Sequence, residues 1–220
     1  MIEEFAKNIP KQFLKKSGSV FYSGRKAFSK RAELYILGLN PGGDPQEQAE
    51  ETIEWHSRKV LQCEPDDWSA YRDESWKGKP PGTCGMQPRI LHLFNRLNLL
   101  AGEVPASNVI FLRSRGEKYI AGDINHLANE CWPFHQKVLD VLKPKAILCF
   151  GKTAGGLVQK RVGATRQIDE FIEMNNRQWR SQAFQNSAGM KVIVATHPSR
   201  VNWCAPSADP TMMISRVMNL

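Results

Sequence analysis

The chain has 220 residues, 41% hydrophobic and 24% charged, which suits one ordinary globular domain and excludes an intrinsically disordered polymer. Its net charge of +8 favours polyanionic partners, chiefly nucleic acid. No apolar run approaches the roughly 20 residues of a membrane span. The five cysteines form no C-x-x-C pair, a usage expected of a reducing intracellular protein without structural zinc or an iron–sulfur cluster.

The opening MIEEFAKNIPKQF has acids before its first Lys and no apolar h-region, so no cleavable export signal is expected and the location is read as cytoplasmic. Residues 1–33 concentrate basic charge (Lys7, Lys11, Lys15, Lys16, Arg25, Lys26, Lys30, Arg31) and read as a helix whose lysine-rich face is either solvated or set against nucleic acid. Four short apolar runs, Leu34–Leu37, Asn108–Leu112, Ala146–Phe150 and Val192–Ala195, predict strands covered on both faces. Helices are expected over Pro88–Leu100, Asn129–Leu142 and Lys152–Val162, with a last one opened by Asp209-Pro210 and ending near Asn219. Residues 44–85 form a long insertion holding Trp55, Trp68, Tyr71 and Trp76; part of it, roughly Gln46–Gln62, has helical character. Its acidic run, Asp44 to Glu54, reads as a solvated face. Right-handed crossovers then give one domain, 1–220, built as a three-layer α/β/α sandwich around a four-stranded parallel sheet.

In such sheets ligands bind at the carboxyl ends of the strands. Those ends are Gly38-Leu39-Asn40-Pro41-Gly42-Gly43, Arg113-Ser114-Arg115, Gly151-Lys152-Thr153 and Thr196-His197-Pro198-Ser199-Arg200. The Gly/Pro turn around Asn40 fixes its amide at the rim, where the oxygen can accept a hydrogen bond from a water. Taken singly, Asn40 reads as a turn residue and His197 as a capped loop histidine. Brought to one edge by the topology, they offer an acceptor for a nucleophile and a donor for an oxygen gaining negative charge. Gly151-Lys152-Thr153 lacks the spacing of a phosphate loop.

Gly38-Leu39-Asn40-Pro41-Gly42 resembles the first motif of uracil-DNA glycosylases in its Asn-containing form, shared by the mismatch-specific and single-strand-selective branches. His197-Pro198-Ser199 resembles the second. The resemblance implies hydrolysis of the N-glycosidic bond of a flipped base in DNA, by a monomer without metal or cofactor. It further implies that Asn40 positions water, that His197 stabilises the leaving base, and that Gly38, Leu39, Pro41 and Gly42 line the pocket. Ser199, Arg200, Asn202 and Lys152 are expected on DNA, with Val201 or Trp203 either an apolar wedge or, for the aromatic, a loop residue packed on the last helix.

Two features depart from the family. Its base-reading amide follows the second strand, where this chain has Leu112-Arg113-Ser114, so Arg113 or Ser114 is expected to read the base. The stacking aromatic must come from the insertion, with Trp76 or Tyr71 as candidates. Uracil, hypoxanthine or xanthine as substrate, or DNA binding without turnover, stay open as alternatives.

Overall fold

The computed structural model describes residues 1–220. Six strands, β1 (Leu34–Gly38), β2 (Ala106–Asn108), β3 (Ala146–Phe150), β4 (Arg166–Ile172), β5 (Arg180–Gln185) and β6 (Lys191–Ala195), form one mixed sheet in the order β2-β1-β3-β6-β5-β4. The expected sheet of four parallel strands is therefore corrected to six. β2, β1, β3 and β6 run parallel, while β4 and β5 make an antiparallel hairpin attached to β6.

Side chains alternate across the parallel strands between two cores, because both faces are covered. Tyr35, Leu37, Ile147, Cys149, Val192 and Val194 enter one; Leu34, Ile36, Leu148, Phe150, Ile193 and Ala195 enter the other. Helices α4 (Ile124–Leu142) and α5 (Lys152–Val162) pack in the first core. Helices α3 (Gln87–Arg96) and α6 (Thr211–Met218) pack in the second. The chain leaves α5 through Gly163 and α6 through Asn219, both left-handed, which frees each helix end to turn. No helix is long and apolar enough to cross a membrane.

The expected N-terminal helix is reduced to α1 (Ile2–Ala6). The segment after it is largely irregular but anchored, since Phe13, Val20, Phe21 and Phe28 bury their side chains in the first core beside Phe5 of the helix. Residues 17–24 run beside β2, with the backbone N–H groups of Ser19 and Tyr22 donating to the carbonyls of Phe111 and Ala106. The insertion is docked on this segment. Arg25, expected to be part of a basic face, instead donates to the carbonyls of Val60, Leu61 and Glu64 at 3.2, 2.6 and 3.0 Å. The insertion's helix α2 (Ile53–Arg58) starts later than expected, where the Thr52 hydroxyl accepts from the Trp55 N–H, and runs into a wider turn ending at Cys63. Its acidic residues are partly paired: Asp44 with Arg115, Glu51 with Arg113 and Glu54 with Lys15.

Candidate functional site at the carboxyl edge of the sheet

β1 and β6 deliver Asn40 and His197 to the same edge, separated by β3. Two strand spacings put their backbones about 10 Å apart. Gly151, with φ +88°, lies between them, and a Cβ there would come within 3.6 Å of the His197 ring in a backbone conformation that disfavours side chains.

The Asn40 side chain is oriented by its surroundings. Its Nδ2 donates to the carbonyls of Pro41 (3.0 Å) and Leu112 (3.2 Å) and to Ser114 Oγ (2.8 Å). Carbonyl oxygens only accept, so the NH₂ group must face inward. Oδ1 is left without a protein donor, as an acceptor at the rim. Ser114 Oγ in turn donates to the Gly116 carbonyl at 3.1 Å, completing the brace.

His197 carries the opposite polarity. Its Nδ1 accepts from the Ser199 backbone N–H at 3.1 Å, with Ser199 Oγ at 2.8 Å. A nitrogen that accepts from an amide carries no proton, so the neutral ring holds its proton on Nε2, where no protein acceptor engages it. Burial pushes the imidazole below its ordinary pKa and the Arg200 charge adds to this, while Glu117 opposes. The ring stands edge-on to Phe150, with centroids 6.1 Å apart. Glu117, which also accepts from Thr153 Oγ1 at 2.7 Å, ties the loop after β2 to the start of α5.

The corrected boundary of β2 changes the reading of Asn108. The run Val109–Leu112 is apolar, but the strand ends at Asn108, which therefore sits at a carboxyl end rather than at the start of a strand. Its side chain lies over Gly38, where a Cβ would collide with Oδ1 at 2.2 Å, so Gly38 is the residue that admits it. Asn108 is buried, and its Nδ2 has no hydrogen-bond partner. The nearby N-terminal segment carries Tyr22, whose hydroxyl accepts from Ser19 Oγ at 3.1 Å. Its ring stacks tilted on Tyr71 at 6.1 Å.

Other expected residues hold the frame. Arg113, with a side chain 9% exposed, donates to Ser17 Oγ (3.0 Å), the Gly42 carbonyl (2.8 Å) and Glu51 (2.8 Å). With its guanidinium engaged in the frame, it is not free to read a base. Leu39 is in the core, and its carbonyl accepts from Ile110; that of Pro41 accepts from Ser114. Ser199 faces His197 instead of a free phosphate position, and the exposed Asn202 caps its own turn by accepting from the Cys204 N–H. Val201 and Trp203 are fully buried in the second core, and the Trp203 indole bonds Thr196 Oγ1 at 3.3 Å, so neither projects as a wedge. Trp76 is held within the insertion by Glu74 and Tyr71. Lys152 and Arg200 are exposed and have no carboxylate partner.

A cleft of about 570 Å³ opens on the insertion, lined among others by Trp55, His56, Lys59 and Trp68; neither Asn40 nor His197 lines it. No group of three or more His, Cys, Asp or Glu is arranged to hold a metal ion. No family model matches the chain, and no curated protein matches it.

Proposed function

We propose that the protein is a monofunctional DNA glycosylase that hydrolyses the N-glycosidic bond of a base flipped out of DNA. One observation carries this reading: a fixed acceptor, Asn40 Oδ1, and a fixed donor, His197 Nε2–H, stand at one sheet edge with their orientations forced by the protein. The acceptor holds a water against the sugar. As the C1′–N bond breaks, its electron pair passes to the base, and the His197 N–H stabilises the carbonyl oxygen that gains charge. The water oxygen bonds to C1′, and its proton ends on the departing base. Prepositioned donors of this kind contribute several kcal/mol in an enclosed site. A neutral imidazole suits the role, since it donates to the anion without surrendering its proton.

Asn108 supports a base-reading role. A buried amide donor without a partner costs about 1–3 kcal/mol, a cost that a carbonyl of a bound uracil, hypoxanthine or xanthine would relieve. The net charge of +8 agrees with a DNA substrate.

The test uses oligonucleotides carrying single uracil, hypoxanthine or xanthine lesions, followed by alkaline cleavage of abasic sites. One lesion should be released by the parent. Asn40→Ala and His197→Ala should each lose about a hundred- to a thousand-fold in single-turnover rate, with DNA affinity changed less than about threefold, because these contacts strengthen in the transition state. Unchanged rates in both variants would refute the assignment. Binding without release of any lesion would make the protein a DNA-binding member without turnover.

A further inference from the structure

The β4–β5 hairpin has no place in the parallel core, yet it ends at the candidate site. β5 pairs antiparallel with β6, Gln182 opposite Val194 and Ala183 opposite Ile193. The ladder ends there, but the Thr196 N–H donates to Ser181 Oγ at 3.0 Å, so the start of β5 lies against the residue before His197. The hairpin tip also bonds the loop that follows His197: Arg177 Nη1 donates to the Arg200 carbonyl at 3.5 Å and the Met174 N–H to that of Ser207 at 2.7 Å.

The tip is pre-organised. The Glu173 side chain is fully buried; its Oε2 accepts from Arg177 at 3.0 Å and from Asn175 Nδ2 at 2.9 Å, while Oε1 has no partner. Burying a carboxylate costs several kcal/mol unless it is well paired, so stability alone gives little reason for it. It does fix the Arg177 guanidinium over the Trp179 ring, 4.8 Å from its centroid. Around this stack Ile172, Met174 and Trp179 expose apolar surface. Arg200 and Lys152 lie on the same edge without carboxylate partners. An exposed indole stacked by a fixed arginine, among free cations, matches an anionic strand that carries flat bases.

We propose that this hairpin tip, packed against the loop that follows His197, grips the DNA strand beside the flipped nucleotide. Trp179 stacks on a neighbouring base through the ring face away from Arg177, and Arg200 and Lys152 meet the flanking phosphates. The role expected of Val201 or Trp203 thus falls to an element absent from a parallel four-stranded sheet. The proposal rests on the glycosylase reading and adds the surface that holds the substrate.

The experiment measures affinity for a duplex with a single abasic-site analogue, and the fluorescence of 2-aminopurine placed next to that site. The parent should bind and raise the fluorescence as the neighbouring stack opens. Trp179→Ala should weaken binding about 5- to 150-fold and abolish the rise, while Trp179→Phe restores most of both. Trp179 is half-exposed, so the melting temperature should stay close to the parent's and separate this loss from misfolding. If the parent binds and Trp179→Ala and Met174→Ala match it in affinity and fluorescence, the hairpin assignment is wrong and the glycosylase reading stands. If the parent binds no DNA, both fall.

Discussion

Replacing Asn40 by Asp reverses the polarity of one atom and leaves the shape unchanged. The Asn40 NH₂ supplies three acceptors at 3.0, 3.2 and 2.8 Å. Since it has only two hydrogens, one is shared, and the set contributes about 2 kcal/mol at 0.5–1.5 kcal/mol per bond. Asn40→Ala should lose about that much. Asn40→Asp loses it too and sets an ionised oxygen against two carbonyls, for a total of about 3–4 kcal/mol at pH 7. In a chain of this size each kcal/mol is worth about 2–4 °C, so melting should fall by about 6–16 °C. The introduced carboxyl is repelled by both carbonyls, so its folded pKa lies above the unfolded value of about 3.9. The native state then binds a proton that the unfolded chain does not, and the deficit relative to the parent shrinks as pH falls through that folded pKa. Thermal unfolding of parent and both variants from pH 7.5 to 4.5 measures this. An Asn40→Asp melting point within about 1 °C of the parent at pH 7.5 would show that the NH₂ is not clamped inward, and the outward acceptor would go with it.

Burial holds His56 and His135 neutral, each with its pKa pushed down to about 3. Above pH 6.5 they contribute no slope, but between there and about pH 3 the unfolded chain binds protons the native state refuses, removing about 1.4 kcal/mol per pH unit for each ring. Urea titrations should show this fall, and His135→Gln should reduce the slope by about 1.4 kcal/mol per pH unit over that range; an unaltered slope would mean His135 is protonated when folded. Arg200→Ala and Lys152→Ala should each lower the slope of log affinity against log salt by about 1. Arg113→Ala should leave that slope alone and destabilise by about 1–3 kcal/mol, since it strips partners from Ser17, Gly42 and Glu51; the reverse pattern would move Arg113 to the DNA surface.

The parallel core is legible in the sequence because its strands are short, apolar and buried on both faces: β3 and α5 match their expected ranges, and β1 and β6 differ by one residue at one end. β4 and β5 are hidden for the opposite reason. RQIDEFI and RSQAFQ offer neither a continuous apolar run nor a regular polar–apolar alternation, because they lie on the partly exposed antiparallel side of the sheet. β2 differs from its expected range because Val109–Phe111 is buried as deeply as a strand while belonging to the loop that leaves it. Asn40 and His197 are readable from the strand-end rule. Arg113 is not, since two of its three partners, Ser17 and Glu51, lie in segments with no readable link to β2. Trp203 reads equally as a wedge or as a loop aromatic packed on the last helix, and it is buried in the core that holds α6.

β6 is the last strand in the chain but stands in the middle of the sheet, between β3 and β5. Until residues 191–195 are in place, β2-β1-β3 and the β4–β5 hairpin are separate pieces without a shared hydrogen-bond ladder. The hairpin can close early because its contacts are local, but its union with the rest waits for the chain's C-terminal strand, a non-local step that slows folding. His197 follows that strand by two residues, so the candidate site is assembled in the same event that joins the two halves of the sheet. A nascent chain lacking β6 leaves unpaired the two strand edges, on β3 and β5, that β6 joins, and holds only the Asn40 half of that site.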